Sequence, residues 1–439
     1  MHIQITNILG GHFADNFPPV IKEAVIRLSG YAANGYSSIG MTERMLAHHT
    51  LLLGGIGMGK TNVIFKMTES LLGNMKQNDA MIIFDTKGDF YSAFGNHTDR
   101  VIANGLEYRE VASVWNVFSE ILVDGWKRSS YESRAREIAT ALFKDRGSKT
   151  QPFFANAARD IFAGILICLI RDAAPARSMN KLTNKQLVNF IRELRVNDLV
   201  SLFSRHNDMV SLLTYVGDGN NPQGLGVLSE LFSMVNEYFQ GMFAEESDTP
   251  LSMQSFVRDR GKKVLMIEYD LSVGQSIAPI YKLLIDFALK EALSRKEVDT
   301  GSVYIILDEM KLLPVLFHLE DALNFGRGYG VKVIAGLQSI FQLYDIYGEN
   351  KGRVLAAGFT NLFAFHTNDA ESRHYVSERL GSNFATIRYE DSGGRTYEKD
   401  REGHVVEEWD LNNLCIGDAI VALLDQSPFG FHFDYYEIG

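Results

Sequence analysis

The chain has 439 residues, 46% hydrophobic and 22% charged, with a formal net charge of −11 at pH 7. These values exclude a disordered or fibrous chain and describe a well-cored globular protein, long enough for two packed units or one large unit with an insertion. The acidic total excludes a coat of nucleic acid over the whole surface, but not a ring that touches DNA only through a locally basic channel.

Residues 1–48 read as a lead-in segment that packs beside the site described below. They contain Pro18-Pro19, several glycines and one amphipathic helix expected from Val20 to Leu28. Met1 to Leu9 carries no basic region of the kind that opens a signal peptide.

His49-Thr50-Leu51-Leu52-Leu53 is a short apolar strand, followed by Gly54-Gly55-Ile56-Gly57-Met58-Gly59-Lys60-Thr61. That octet fits G-x-x-x-x-G-K-[ST] at every fixed position, and from Asn62 to Leu72 apolar residues recur on one helical face. Glycines let backbone N–H groups turn inward around a phosphate, and the helix N-terminus adds partial positive charge. The expected phosphate cradle is therefore Gly54, Gly55, Ile56, Gly57, Met58, Gly59, Lys60, Thr61 and Asn62. Lys60 would bridge the β- and γ-phosphates of ATP, and the Thr61 hydroxyl would ligate Mg²⁺. The bland alternative is an ordinary glycine-rich turn. His48 and His49 pair with no cysteine or acid at metal spacing and read as structural.

Ala80 to Asp85 is an apolar run with a polar tip, as in a buried parallel strand. The loop after it holds Lys87 and Asp89, which with Asp85 suit either a nucleotide pocket or a plain polar turn. Val101-Ile102 and Val111 to Trp115 are weaker strand signals. From Asn116 to Ser252 helical periodicity takes over: Ser130 to Phe143, Phe153 to Ile170, Asn184 to Leu194, Leu199 to Phe203, Val210 to Tyr215 and Leu225 to Phe243. The block reads as an all-α insertion over 116–252, splitting an α/β motor domain at 49–115 and 253–439. The apolar stretch Ile161 to Ile170 is too short to span a bilayer and reads as a buried helix. Lys127, Arg128, Arg134, Arg136, Lys144, Arg146 and Lys149, with Trp126 and Tyr131 interleaved, suit either a nucleic-acid contact or a solvated helix face.

Alternation then resumes with a strand at Lys263 to Tyr269 and a helix at Ile277 to Ser294. Val303 to Leu307 ends in Asp308-Glu309, a strand carrying two carboxylates to the sheet edge where ligands bind in open α/β folds. Paired with an upstream phosphate loop, Asp308 is expected to hold Mg²⁺ through water and Glu309 to polarise the attacking water. A helix near Val315 to Phe325 leads to Gly326-Arg327-Gly328-Tyr329-Gly330 and the strand Val331 to Gly336. On spacing alone Arg327 is either a surface arginine or a finger reaching a neighbouring subunit's nucleotide. Gln338, two residues past that strand, offers an amide to the γ-phosphate or its water. Leu362 to His366 and Glu371 to Leu380 continue the alternation, Arg388 to Gly403 reads as a polar mobile hairpin, and Ala419 to Leu424 and Phe431 to Tyr436 close the sheet. Cys168 and Cys415 are too far apart for a metal framework and fit a reducing cytoplasm.

Together these residues resemble the type IV secretion coupling ATPases, the TraG/TraD-like branch of the FtsK/HerA motor superfamily. The marks are Gly54 to Thr61, Phe84 to Asp89, Trp115 to Phe118, Leu307 to Glu309, Gly326-Arg327, Gln338 and Ser377 to Gly381, in that order and spacing. The resemblance implies a RecA-like P-loop NTPase motor domain with an inserted all-α domain, a homo-hexameric ring, and ATP and Mg²⁺ as cofactors. It implies DNA or a relaxase–DNA complex as cargo and type IV secretion membrane subunits as partners. It assigns catalysis to Lys60, Glu309, Gln338 as sensor and Arg327 as trans finger, and metal binding to Thr61 and Asp308. Coupling proteins of this kind begin with transmembrane helices and this sequence shows none, so either a separate membrane subunit anchors a cytoplasmic motor or the chain is a soluble relative with a different task. A protein-effector coupling ATPase, a HerA-like translocase in DNA processing or defence, and a nucleotide-gated adaptor with little turnover stay open beside that reading.

Overall fold

A computed structural model describes residues 3–14, 21–105, 108–144, 146, 152–217, 222–294, 301–390 and 395–437. The chain divides into two compact units: Met1–His97 with Gly261–Val264 and Ala292–Gly439, and Thr98–Arg260 with Leu265–Glu291.

The first unit is built on a mixed sheet. In order across it lie Gly35–Met41, Ile26–Ala32, Phe429–Phe433, Asp418–Ala422, Asn361–Phe365, Thr50–Leu53, Val331–Leu337, Val303–Leu307 and Ala80–Asp85. The strands from Asn361–Phe365 to Ala80–Asp85 run parallel, in register Thr50↔Ile334, Val303↔Val331 and Ala80↔Val303. All five are buried along their length, as expected for continuous apolar runs covered on both faces. Their carboxyl ends therefore meet on one edge.

Two sequence expectations change here and a third is extended. Ile26–Ala32 is a strand with alternating burial, so the helix expected from Val20 to Leu28 does not form; Val20 itself lies outside the described residues. Ile26 and Leu28 are buried and Arg27 between them is exposed, a period of two that the sheet rewards. The polar hairpin expected from Arg388 to Gly403 forms, and it is longer than expected. Ser382–Glu390 and Thr396–His404 form an antiparallel hairpin that pairs with Ile3–Gly10, while its tip at 391–394 lies outside the described residues. The helix expected from Val315 starts later, at Leu319, and runs to Phe325.

The second unit holds the helical block. Between 116 and 250 its described residues contain helices and turns but no strand. The unit is wider than 116–252, because Arg100–Ala103 pairs in parallel with Leu265–Glu268 and the helix Gly274–Leu293 follows. Val111 to Trp115 makes only isolated bridges, Ala112 to Val101 and Trp115 to Leu251. The helix Phe153–Ala173 has the length and composition to cross a membrane, yet 67% of its most apolar window is buried in the protein. It packs against Arg128–Phe143 and Pro222–Tyr238.

The ends of the block are joined by a fully buried carboxylate. Glu120 accepts hydrogen bonds from Trp115 Nε1 at 2.9 Å, Ser252 Oγ at 3.0 Å and the amides of Met253 and Gln254 at 2.7 and 2.9 Å. Asn116 caps the helix Val117–Ile121 through the amide of Ser119 and donates to the Leu182 carbonyl. The Trp-Asn-Val-Phe mark is thus a structural closure. The basic run is not a free patch either: Arg128 meets Glu132 and Asp208, Arg134 meets Asp124, and Arg146 meets Glu230 and Glu237. Lys149 lies outside the described residues.

Candidate active site

Gly54 to Thr61 leaves the strand Thr50–Leu53 and enters the helix Lys60–Asn74. The turn needs glycine at two points, Gly57 at φ 75° and Gly59 at φ 111°, both left-handed. A side chain at Gly54 would collide with Phe365, its Cβ falling 2.6 Å from the Phe365 Cβ. The loop is tied to both flanking strands, since Gly54 N–H donates to the Leu337 carbonyl at 3.1 Å and Gly55 N–H to that of His366 at 2.8 Å. Lys60, Thr61 and Asn62 occupy the first helical turn, whose N–H groups have no intrahelical acceptor and face an anion favourably.

Lys60 is 7% exposed, and its Nζ donates to the carbonyls of Gly54 and Gly55 at 2.7 and 2.9 Å. Burial lowers its pKa, and the charges of Glu309 and Asp308 oppose that fall. Thr61 Oγ1 donates to Asp308 Oδ1 at 2.9 Å, joining the P-loop helix to the tip of Val303–Leu307. Burial pushes the Asp308 carboxyl up to about 6; the Thr61 hydrogen bond lowers it and the Glu309 charge raises it. Backbones crowd there, for a Cβ on Gly336 would lie 2.2 Å from the Asp308 carbonyl oxygen. Glu309 Oε2 accepts from Gln338 Nε2 at 2.7 Å, while its Oε1 is buried with no hydrogen-bond partner among the described residues. A hydroxyl and a single carboxylate suit a hard cation that takes its other ligands from water and phosphate. Among the described residues no cluster of three or more His, Cys, Asp or Glu could hold a metal alone.

Three residues stand differently from their neighbours. Asn62 spends its side chain on the C-terminal segment: Nδ2 donates to the Asp434 carbonyl at 2.9 Å and Oδ1 accepts from Tyr436 N–H at 2.6 Å. Only its backbone N–H remains for a phosphate. Asp85 accepts from the amides of Lys87, Gly88, Phe90 and Tyr91 at 2.9–3.1 Å, so its carboxylate shapes the loop after its strand. Arg327 is exposed and sits at the amino end of Val331–Leu337, whereas Gln338 follows the carboxyl end. Seven residues separate those ends, about 23 Å at 3.3 Å per residue. That span exceeds any side chain, so Arg327 does not reach the P-loop of its own chain.

A P-loop at one strand tip, two acids at another and an amide at a third, all on the carboxyl edge of a parallel sheet, define a P-loop NTPase of RecA-like fold. The chain belongs to the family described as the type IV secretion-system coupling protein DNA-binding domain, whose model matches residues 35–427. It is 25% identical over 302 residues to the coupling protein TraD of Escherichia coli (strain K12), covering 68% of this chain and 39% of TraD. To the type IV secretion system-coupling protein VirD4 of Bartonella quintana (strain Toulouse) it is 21% identical, covering 61% of this chain and 42% of VirD4. The chain thus spans well under half the length of these relatives. Among solved structures, the bacterial conjugative coupling protein TrwBdeltaN70 superposes with a TM-score of 0.71 at 20% identity, over 93% of this chain and 89% of that one. TrwB in complex with ADP and Mg²⁺ gives 0.67 at 20% identity, over 91% and 88%.

Proposed function

We propose that this chain is a Mg²⁺-dependent ATPase motor of the conjugative coupling type, which moves DNA or a relaxase–DNA complex toward a type IV secretion channel. The observation that carries the reading is the Thr61–Asp308 hydrogen bond beside Lys60 and Glu309, a hydroxyl and two carboxylates gathered at one P-loop. The ADP and Mg²⁺ held by TrwB, and the family description, support the same nucleotide and a DNA cargo here. When bound, ATP and Mg²⁺ supply a phosphorus open to attack and a cation that offsets its charge. Lys60 and the N–H groups of the first helical turn bind phosphate oxygens. Thr61 and Asp308 would hold the metal, which offsets the charge on the phosphates. Glu309 orients and polarises the attacking water, and Gln338 fixes the Glu309 carboxylate from the neighbouring strand tip. Arg327 completes the site of an adjacent copy, which requires a ring; a homo-hexamer at the cytoplasmic face of the membrane, docked on secretion subunits, fits that need.

Phosphate release by the purified protein, with Mg²⁺ and with or without DNA, tests the reading. DNA should stimulate turnover, and Lys60→Ala should abolish it. Stimulation only by a partner protein would favour effector coupling, and wild-type turnover in Lys60→Ala would refute the site.

A further inference from the structure

His49 reads as structural in the sequence, yet it touches both flanks of the Arg327 turn. His49 is 1% exposed and its backbone is left-handed at φ 57°, an uncommon conformation that histidine, asparagine and aspartate adopt more readily than other residues with a side chain. Nδ1 accepts a hydrogen bond from Val333 N–H at 3.1 Å, inside the strand that follows the turn. The backbone of Ala322 and Leu323, in the last turn of the helix before it, raises the imidazole pKa, while Nε2 is buried and makes no hydrogen bond among the described residues. Burial lowers the imidazole pKa to about 4, so the ring is neutral at pH 7. With Nδ1 accepting, the proton sits on Nε2. Gly326, the residue before Arg327, is closely packed: a Cβ there would lie a tight 3.0 Å from the Val331 Cβ and in van der Waals contact, 3.5 Å, with the His49 Cε1.

The backbone of His49 is fixed as firmly as its ring. Its carbonyl accepts from the Asn361 amide at 3.1 Å and from Asn361 Nδ2 at 2.8 Å, and its N–H donates to the Leu46 carbonyl at 3.0 Å. The next residue, Thr50, opens the strand that ends in the P-loop. One side chain thus joins the strand leading to this chain's phosphate cradle with the strand after Arg327, and packs beside Gly326, the residue before it.

We propose that His49 is a positioning residue that sets the Arg327 turn, so that the guanidinium is presented to the adjacent copy in fixed geometry. The inference rests on the trans-finger reading of Arg327 given above. Displacing a reacting cation by about an ångström from a site it does not itself build costs up to about a hundredfold in rate.

His49→Asn tests it. Asparagine tolerates the left-handed backbone and its amide oxygen can accept from Val333, but it is too short to fill the place of the ring beside Gly326. The variant should fold, bind ATP with unchanged affinity and lose about tenfold to a hundredfold in kcat with KM unchanged. Mixed with Lys60→Ala, it should regain turnover, because the Lys60→Ala neighbour offers a well-set Arg327 to an intact P-loop. Arg327→Ala is run beside it in the same mixtures. Recovery for Arg327→Ala without recovery for His49→Asn places the lesion in the P-loop of its own chain and overturns the inference, as does wild-type kcat in His49→Asn. Full activity of Arg327→Ala instead removes the finger reading on which the inference stands. Should His49→Asn not fold, His49→Gly, free of backbone strain at this φ, is read in the same assay. Unfolding of both makes the ring a support of the core alone and also overturns the proposal.

Discussion

The two edges of the parallel sheet differ in how their charged groups are spent. At the carboxyl edge Lys60, Thr61, Asp308, Glu309 and Gln338 are buried or half-buried and hydrogen-bonded around one P-loop. At the amino edge Lys332 is buried and paired with Glu43 and Ser302, while Arg327 is exposed with no hydrogen bond or ion pair among the described residues. In the proposed reading the carboxyl edge supplies the phosphate, metal and water residues and lacks a second cation. The other holds such a cation with nothing to neutralise it. The proposed ring would bring these two edges together.

The largest expected effect breaks that complementarity. Arg327→Ala should lower kcat by about 10³–10⁵ with ATP binding intact, measured by steady-state phosphate release and nucleotide titration. Glu309→Gln comes next: losing the base should cost on the order of 10²–10⁴ and leave ATP bound and unhydrolysed, read by chasing retained nucleotide on the protein.

Smaller effects separate two acids that look alike in sequence. Asp85 and Asp308 each close an apolar strand run, but four amides hold Asp85 and one hydroxyl holds Asp308. The Asp308 pKa rises from 3.8 to about 6, so the folded chain binds this proton more tightly than the unfolded chain. Its contribution to stability is fully present below about pH 4 and is lost as pH rises through about 6. Asp308→Asn should therefore stabilise the nucleotide-free protein above about pH 7, by at most about 3 kcal/mol, and give no gain near pH 4. Calorimetric melts at the two pH values check this. Asp85→Asn should act in the opposite direction, destabilising by about 1–3 kcal/mol, because an amide donor would face the N–H groups of Phe90 and Tyr91. Equal melting shifts for the two variants would erase the distinction.

Much of this was legible in the residues. The P-loop is written in a contiguous motif, and long apolar runs with polar tips announce parallel strands whose ends must converge. Those two facts bring Lys60, Thr61, Asp308, Glu309 and Gln338 together before any coordinates exist. Partnership at long range was not legible. Nothing in the neighbourhood of Asn62 shows that residues 434–436 take its side chain, and nothing beside His49 shows Val333 or Ala322. Glu120 is hidden likewise, since its four donors come from Trp115 and from residues more than a hundred positions onward. Ile26–Ala32 misled because a short apolar segment fits helical and strand periods equally until a neighbouring strand decides. Wherever a side chain's role depends on which distant backbone lies opposite, composition and spacing carry no signal.

In the proposed motor one active site is shared between the carboxyl edge of one copy and the amino edge of the next. Mixing Lys60→Ala with Arg327→Ala, each inactive alone, measures this most directly through phosphate release as a function of mixing ratio. Turnover should appear in the mixture and peak near equal proportions. An inactive mixture at every ratio, or a monomer of the unmodified protein hydrolysing ATP at the full rate, would contradict it.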